Sequence, residues 1–461
     1  MHVLIISHRF FPRYHGGTEV LSLQLARGLQ TRGYQVTVLT GEPNEGLSCD
    51  APPWLSADTH EGLATHRLHY GTVEQSWARH GMWKKLVVTA RMLNGSFDPI
   101  ASHVSAPERI AVVRDLVACL KPDLVHINHV IGFSAAIIPE MRRLGIPVVF
   151  TPTDYFAVCP KYQLYRKFDR SPCDGPGNAI DCVRCMQPMP RWVACLAMGA
   201  GLSAPARMAG VAGVFRSLTH RPSLMIKAIN SANKILPSTR FLADVLIRHG
   251  VDRTLVEVVP YGIDIGELPP MRPVPTRFDR QSPLRLGFIG TLVETKGAHV
   301  VMEALSLLGE RENEVLFSIY GKTDVTDRYC LSLIQSAEAL GTSVRFAGTF
   351  PPEKMGEILR NLDVLAVPSL WYESIPLVLR SAFNAGTPVL ISRMGGLTEP
   401  LKDSGCVQSF PAGDARALSG LILRLLDDPQ ALGRLRACLT GEVRRLADYL
   451  DDVETEYRAI V

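Results

Sequence analysis

Leu284-Arg-Leu-Gly-Phe-Ile-Gly290-Thr-Leu-Val-Glu-Thr-Lys296-Gly297 reads as a short apolar strand that runs into a polar loop and opens a helix at Gly297. A β-rich run this short fits a strand buried on both faces of a parallel sheet. The chain begins with the same order. His2 to Ile6 is strand-like, the next loop ends in Gly16-Gly17, and Leu21, Leu25 and Leu29 share one helical face. Thr18 is the expected N-cap of that helix, Gly33 its left-handed stop, and Tyr34 to Thr40 the following strand. Two βαβ openings on either side of a Pro-rich stretch, Tyr261 to Pro283, predict an α/β chain of two doubly wound domains facing a cleft.

Outward from these openings, Asp123 to Asn128 and Pro147 to Thr151 read as further strands of the first domain. Val344 to Ala347, Val364 to Pro368 and Val389 to Ser392 read as strands of the second. The expected divisions are 1–260, with a basic, cysteine-containing insertion at about 155–230, then a linker at 261–283, a second domain at 284–440, and a last helix at 441–461 that packs on the first domain. Of the 461 residues 46% are hydrophobic, which is ample for large cores. Lys and Arg number 49 against 45 Asp and Glu, and this mild excess argues against a nucleic-acid binder. The first apolar run stops at Ser7-His8-Arg9, and the longest uncharged one, Trp192 to Ala206, contains Pro205. Neither makes a signal core or the roughly 20-residue span of a membrane helix. With no export signal, the ten cysteines read as reduced thiols and the location as cytoplasmic.

Ligands of such sheets sit beyond the carboxyl ends of the strands. Three loops qualify. Gly16-Gly17-Thr18-Glu19 lets backbone approach a ligand at a helix N-terminus. Lys296 stands at a helix entry within reach of a phosphate there, although the Gly-Lys-Ser/Thr ending of a P-loop is missing. The third is Val367-Pro-Ser-Leu-Trp-Tyr-Glu373-Ser-Ile-Pro376-Leu-Val-Leu-Arg-Ser381, where Glu373 stands beside a helix opening at Pro376. Its carboxylate suits sugar hydroxyls, and the amides of Ile375, Leu377 and Val378 suit phosphate. His126 and His129 follow a first-domain strand, where an imidazole can bond a phosphate or an acceptor hydroxyl, His129 being favoured.

These pieces resemble the retaining glycosyltransferases of family 4. The resemblance runs nearly end to end through the Gly16-Gly17-Thr18-Glu19 loop, Tyr261-Gly-Ile-Asp264, Ile289 to Gly297, Arg345-Phe-Ala-Gly348, Asp363 to Ser369, the Glu373 segment and Gly395-Gly396-Leu-Thr-Glu399. It implies the GT-B fold, two Rossmann-like domains with the acceptor in the first and a nucleoside diphosphate sugar in the second. It implies a donor site of Gly17, Gly290, Thr291, Lys296, Glu373, Ile375, Leu377 and Ser381, with Glu373 and His129 at the reacting centre and Phe346 to Thr349 around the base. It also implies metal-independent transfer with retention, no cofactor being required, the leaving diphosphate met by Lys296 and helix amides. The chain departs from the family at four places. The family's second glutamate falls at Ser381 and its phosphate-binding arginine at Thr291. Its His-Asp pair falls at Thr153-Asp154, and its His-x-His pattern reads His126-Ile-Asn128-His129. Each lost charge-assisted hydrogen bond weakens donor binding by about 1.5–3 kcal/mol. Two other readings stay open: a nucleotide-sugar-binding partner subunit without turnover, and a nucleotide-sugar epimerase of the same fold.

Cys159, Cys173, Cys182 and Cys185 offer four thiols, of which one C-x2-C pair has zinc-ligand spacing. A structural zinc and plain reduced loop cysteines both fit. Residues 161–227 carry ten basic groups against three acidic ones, and Trp192 to Lys227 has no acidic residue at all. That pattern fits peripheral docking on the anionic inner face of a membrane, in keeping with a glycan or lipid-linked acceptor. It also fits a buried helical pair with a basic rim.

Overall fold

Short runs dominated by apolar residues became the central strands, because a strand covered on both faces has little solvent side to mark. The computed structural model describes residues 1–44, 51–71, 100–186, 190–196, 209–374, 376–398, 407–439 and 443–461. The chain divides into two compact units, Met1–Pro260 with Leu450–Val461, and Tyr261–Tyr449.

In the first unit β1 (His2–Ser7) is buried throughout and lies parallel to both β2 (Gln35–Asn44) and β5 (Leu124–Ile127). An antiparallel pair, β3 (Trp54–His60) and β4 (Leu63–Gly71), closes one side. β6 (Val148–Phe150) and β9 (Lys234–Ile235) complete the other, in the order β3-β4-β2-β1-β5-β6-β9. A small separate hairpin joins β7 (Tyr165–Arg166) to β8 (Ser171–Pro172). The second unit holds six strands, β10 (Leu284–Ile289), β11 (Val315–Tyr320), β12 (Val344–Gly348), β13 (Val364–Val367), β14 (Val389–Ser392) and β15 (Val407–Phe410). All are parallel, in the order β12-β11-β10-β13-β14-β15. Each sheet therefore reverses its winding direction once, between β1 and β5 and between β10 and β13. Loops leaving such a pair diverge and open a crevice at the strands' carboxyl ends.

Three local expectations are corrected. The first helix, α1 (Gly17–Thr31), is capped by Gly16, not Thr18. The Glu19 carboxylate folds back to accept the Gly16 amide, and so does the capping without a hydroxyl. The stretch after Tyr261 is not a loose tether, since Ile263 and Ile265 are buried in a core of the second unit with Leu359, Leu379 and Phe383. Finally, Arg221 in the helix α2 (Ala209–Ile229) is no rim residue. It is 1% exposed, and it donates to the carbonyls of Phe156 and Val158. Residues 197–208 of the basic stretch lie outside the described residues.

The last helix, α3 (Leu446–Arg458), brings its end to the first unit. Arg32 pairs with Asp451 at 2.7 Å and Glu454 at 3.4 Å, and Lys234 pairs with Glu456 at 2.8 Å. Among the described residues no helix is long and apolar enough to cross a membrane.

Candidate functional site

The loops after β10 and β13 meet along a backbone seam. Gly297 has φ +75°, and a Cβ there would stand 2.0 Å from the Pro368 carbonyl oxygen, so only glycine lets the two loops touch. Next to it the Leu370 amide donates to the Thr295 carbonyl at 2.8 Å. This seam sets Lys296 Nζ 2.6 Å from Glu373 Oε1. The same oxygen accepts from Ser369 Oγ at 2.7 Å and Trp371 Nε1 at 3.0 Å. Three donors on one oxygen hold a buried carboxylate in a single orientation. The ammonium also lies 5.5 Å from the centre of the Trp371 ring, so the cation is held from two sides. Behind the loop, Gly396 has packing to explain it, because a Cβ would come within 2.2 Å of the Glu373 carbonyl oxygen.

Other expected donor-site residues take different places. Gly290 and Thr291 form the turn after β10, with the Gly290 amide on the Tyr320 carbonyl and the Thr291 carbonyl accepting from Val293. Leu377 begins the helix α4 (Leu377–Ala385), whose N-cap Pro376 offers no side-chain partner to the free amides. Ser381 is buried in that helix, and its hydroxyl turns back on to the Leu377 carbonyl at 2.9 Å. Ile375 lies outside the described residues. Gly348, in the segment expected around a base, has φ +73° and accepts from the Gly321 amide.

In the first unit the neighbours at the reversal are β1 and β5, and they deliver His8 and His129 side by side, ring centres 4.5 Å apart. His129 Nδ1 accepts from the Ile131 amide at 3.0 Å, which leaves the proton on Nε2. That Nε2–H donates to Asp154 Oδ2 at 3.1 Å. Both nitrogens of His129 are therefore engaged within the unit. Glu19 Oε1 stands 3.7 Å from His8 Nε2. Burial raises the Glu19 carboxyl above its ordinary range, and burial pushes the His8 imidazole well below its own. Gly17 opens α1 beside this group, and Thr18 Oγ1 donates to Thr153 Oγ1 at 3.1 Å.

His126 goes elsewhere. It is fully buried within β5, with Nδ1 2.5 Å from the Tyr457 hydroxyl and Nε2 2.8 Å from Thr151 Oγ1. Burial lowers its pKa to about 3, so it is a satisfied core imidazole. Sequence reading missed His8, Asp154, Ser369 and Trp371 as members of these groups. Their signal was position, each lying within a few residues of a strand's carboxyl end. The cysteines at 159, 173, 182 and 185 are all free. Among the described residues no three His, Cys, Asp or Glu side chains stand ready to hold a metal ion, so the expected four-thiol set is not closed as the structure stands.

Residues 16–262 match the family described as glycosyl transferase 4-like domain, and residues 278–438 match glycosyl transferases group 1. The amylovoran biosynthesis glycosyltransferase AmsK of Erwinia amylovora is 28% identical over 41% of this chain and 47% of its own. A D-inositol 3-phosphate glycosyltransferase of Corynebacterium jeikeium is 32% identical over 37% of this chain and 43% of its own. The chain thus spans about half the length of these curated relatives. Among solved structures, Anabaena Alr3699/HepE in complex with UDP superposes with a TM-score of 0.62 at 14% identity, covering 100% of both chains. With two Rossmann-like units in the GT-B manner and a family match over more than half its length, the chain belongs to the glycosyl transferase 4-like family.

Proposed function

We propose that this protein is a retaining glycosyltransferase that moves a sugar from a nucleoside diphosphate sugar to a hydroxyl of a glycan or lipid-linked acceptor. The observation that carries the reading is the Lys296–Glu373 pair at the β10/β13 reversal, a cation and a carboxylate fixed side by side beyond the strand ends. The cation meets the diphosphate, together with the free amides that open α4. The carboxylate receives sugar hydroxyls. As the anomeric carbon–phosphate oxygen bond breaks, charge grows on the leaving diphosphate, and a preplaced ammonium stabilises it without reorganising. The acceptor oxygen bonds the same face of that carbon, and its proton passes to the departing phosphate. His129, its two ring nitrogens held by the Ile131 amide and Asp154, orients Asp154 in the first unit's strand-end group. The reaction needs no divalent ion.

The names of the relatives support the reaction class, and the UDP bound to Alr3699/HepE makes a uridine donor the first to try. An epimerase or a silent partner subunit is less well supported, since the matched relatives are transferases by name. The reading includes peripheral docking on anionic lipid, supported by Trp192 and Leu196, 66% and 62% exposed in an acid-free stretch. Equal partition between anionic and neutral vesicles would remove that part. The main test incubates the protein with UDP-, GDP- and ADP-sugars and a bacterial glycolipid extract, then reads the anomeric configuration of the product by NMR. Retained configuration, without added magnesium or manganese, is the expected result; an inverted linkage overturns the mechanism.

A further inference from the structure

The insertion between β6 and α2 buries Tyr155, Phe156, Val158, Leu164 and Tyr165 but has little regular structure. Its secondary structure amounts to the two-residue strands β7 and β8 and a helix α5 (Ala179–Met186) that has no fully buried residue. Three non-glycine residues in it, Tyr162, Leu164 and Arg170, nonetheless keep positive φ values of 54°, 48° and 54°. Left-handed backbone at tyrosine, leucine and arginine persists only where the surroundings over-determine it.

The four cysteines of this insertion lie on three neighbouring turns of chain, with no three of their side chains yet gathered as a metal group. Cys173 leaves β8, its amide on the Leu164 carbonyl at 2.8 Å, and Cys185 reaches the same strand pair with Sγ 3.4 Å from the Tyr165 carbonyl oxygen. Cys182 lies one turn before Cys185 on α5, within electrostatic range of Cys159, Cys173 and Cys185 together. Cys159 heads the turn that carries Tyr162, whose amide donates to the Cys159 carbonyl at 2.9 Å. All four are free and partly buried. Both signs of charge stand around them, Asp174 beside Cys173 and Asp181 beside Cys182 along with two basic groups. Lys161 is half-buried beside Cys159 and Cys185 and has no carboxylate partner among the described residues. Arg166 stands near Cys173.

We propose that Cys159, Cys173, Cys182 and Cys185 bind one zinc ion that staples the insertion into its fold. Two thiols now face carbonyls, Cys173 towards Gly175 at 3.3 Å and Cys185 towards Tyr165, so closure requires those side chains to rotate inward. Four thiols then give up four protons to solvent, and Zn²⁺ with four thiolates forms a tetrahedral centre of net charge −2, with no change of oxidation state. Lys161 and Arg166 offset that charge, which gives a half-buried lysine without a carboxylate its purpose. The centre is structural, because four protein ligands leave no open position.

The test is metal content, independent of any transfer activity, so its outcome does not bear on the reaction proposed above. Full-length protein purified in reducing buffer without chelator is expected to carry one zinc per chain, lost in Cys159→Ser and Cys182→Ser. Cys119→Ser and Cys195→Ser, at exposed positions outside the cluster, are expected to keep it. Should a cluster variant fail to fold, wild-type protein decides. Strong chelation is expected to lower its melting temperature and its hydrogen-exchange protection within 155–186, with zinc restoring both. Cobalt in place of zinc is expected to show sulfur-to-metal charge-transfer bands. Folded protein with no zinc and no such bands, or with these cysteines joined as disulfides, overturns the proposal.

Discussion

Glu373 Oε1 accepts from Lys296, Ser369 and Trp371 at once, and these donors are not equal. The lysine contact is charge-assisted and the other two are neutral, so the lysine should dominate. Lys296→Ala removes a charge-assisted bond to a bound diphosphate, worth about 1.5–3 kcal/mol, which is roughly a 10- to 100-fold rise in the nucleotide Kd. Trp371→Phe keeps the ring under the ammonium and removes one neutral donor, so calorimetry should show a change of only a few-fold. Lys296 and Glu373 were legible because each falls just after a strand that is itself legible. Ser369 and Trp371 were not, since a serine and a tryptophan in a loop carry no mark of the oxygen they will share. His126 misled in the opposite direction. Its place near a strand end suggested a ligand, but the decisive fact is Tyr457, hundreds of residues away in sequence and in contact through Nδ1.

At the scale of elements, loop seams and buried imidazoles make separable predictions. Gly297→Ala meets both the positive φ and the Pro368 carbonyl, whereas Gly309→Ala meets only a positive φ of +60°, with nothing within 4 Å. The Gly309 variant should lose about 1 kcal/mol. The Gly297 variant should lose more and also weaken nucleotide binding, because the seam that aims Lys296 opens. Melting curves with and without UDP read both effects. β5 gives a pH dependence. Since burial lowers His126 from 6.5 to about 3, its neutral ring contributes fully above pH 6.5, and that contribution drains away as pH falls towards about 3. Stability should drop by up to about 1.4 kcal/mol per pH unit in that window. Denaturant melts at pH 7.5 and 5.5 should differ less in His126→Gln than in wild type. The central strands were readable because apolar residues dominate both of their faces. The cap of α1 was not, because a glutamate folding back on Gly16 is a property of helix geometry that favours no single letter at the cap.

Over the whole molecule, the repeat of strand, glycine loop and helix at both ends of the chain was enough to read two doubly wound units. What escaped was how the connecting chain is used. The Pro-rich stretch looked like a spacer, yet Ile263 and Ile265 are core residues of the second unit, and apolar residues in a turn-rich run do not announce what they pack against. The tail returns to the first unit through Tyr457 on His126, Asp451 and Glu454 on Arg32, and Glu456 on Lys234. Removing Leu450–Val461 should therefore expose the amides of β1 and β5 to faster hydrogen exchange while those of β10 and β13 keep their protection. The account as a whole rests on the second unit holding the donor diphosphate at Lys296. The measurement that tests this most directly is calorimetric titration of UDP, GDP and ADP into wild type and Lys296→Ala. The account predicts that one nucleotide binds wild type and binds the variant roughly 10- to 100-fold more weakly. Equal affinity for both proteins, or no binding of any nucleotide at millimolar concentration, would contradict it.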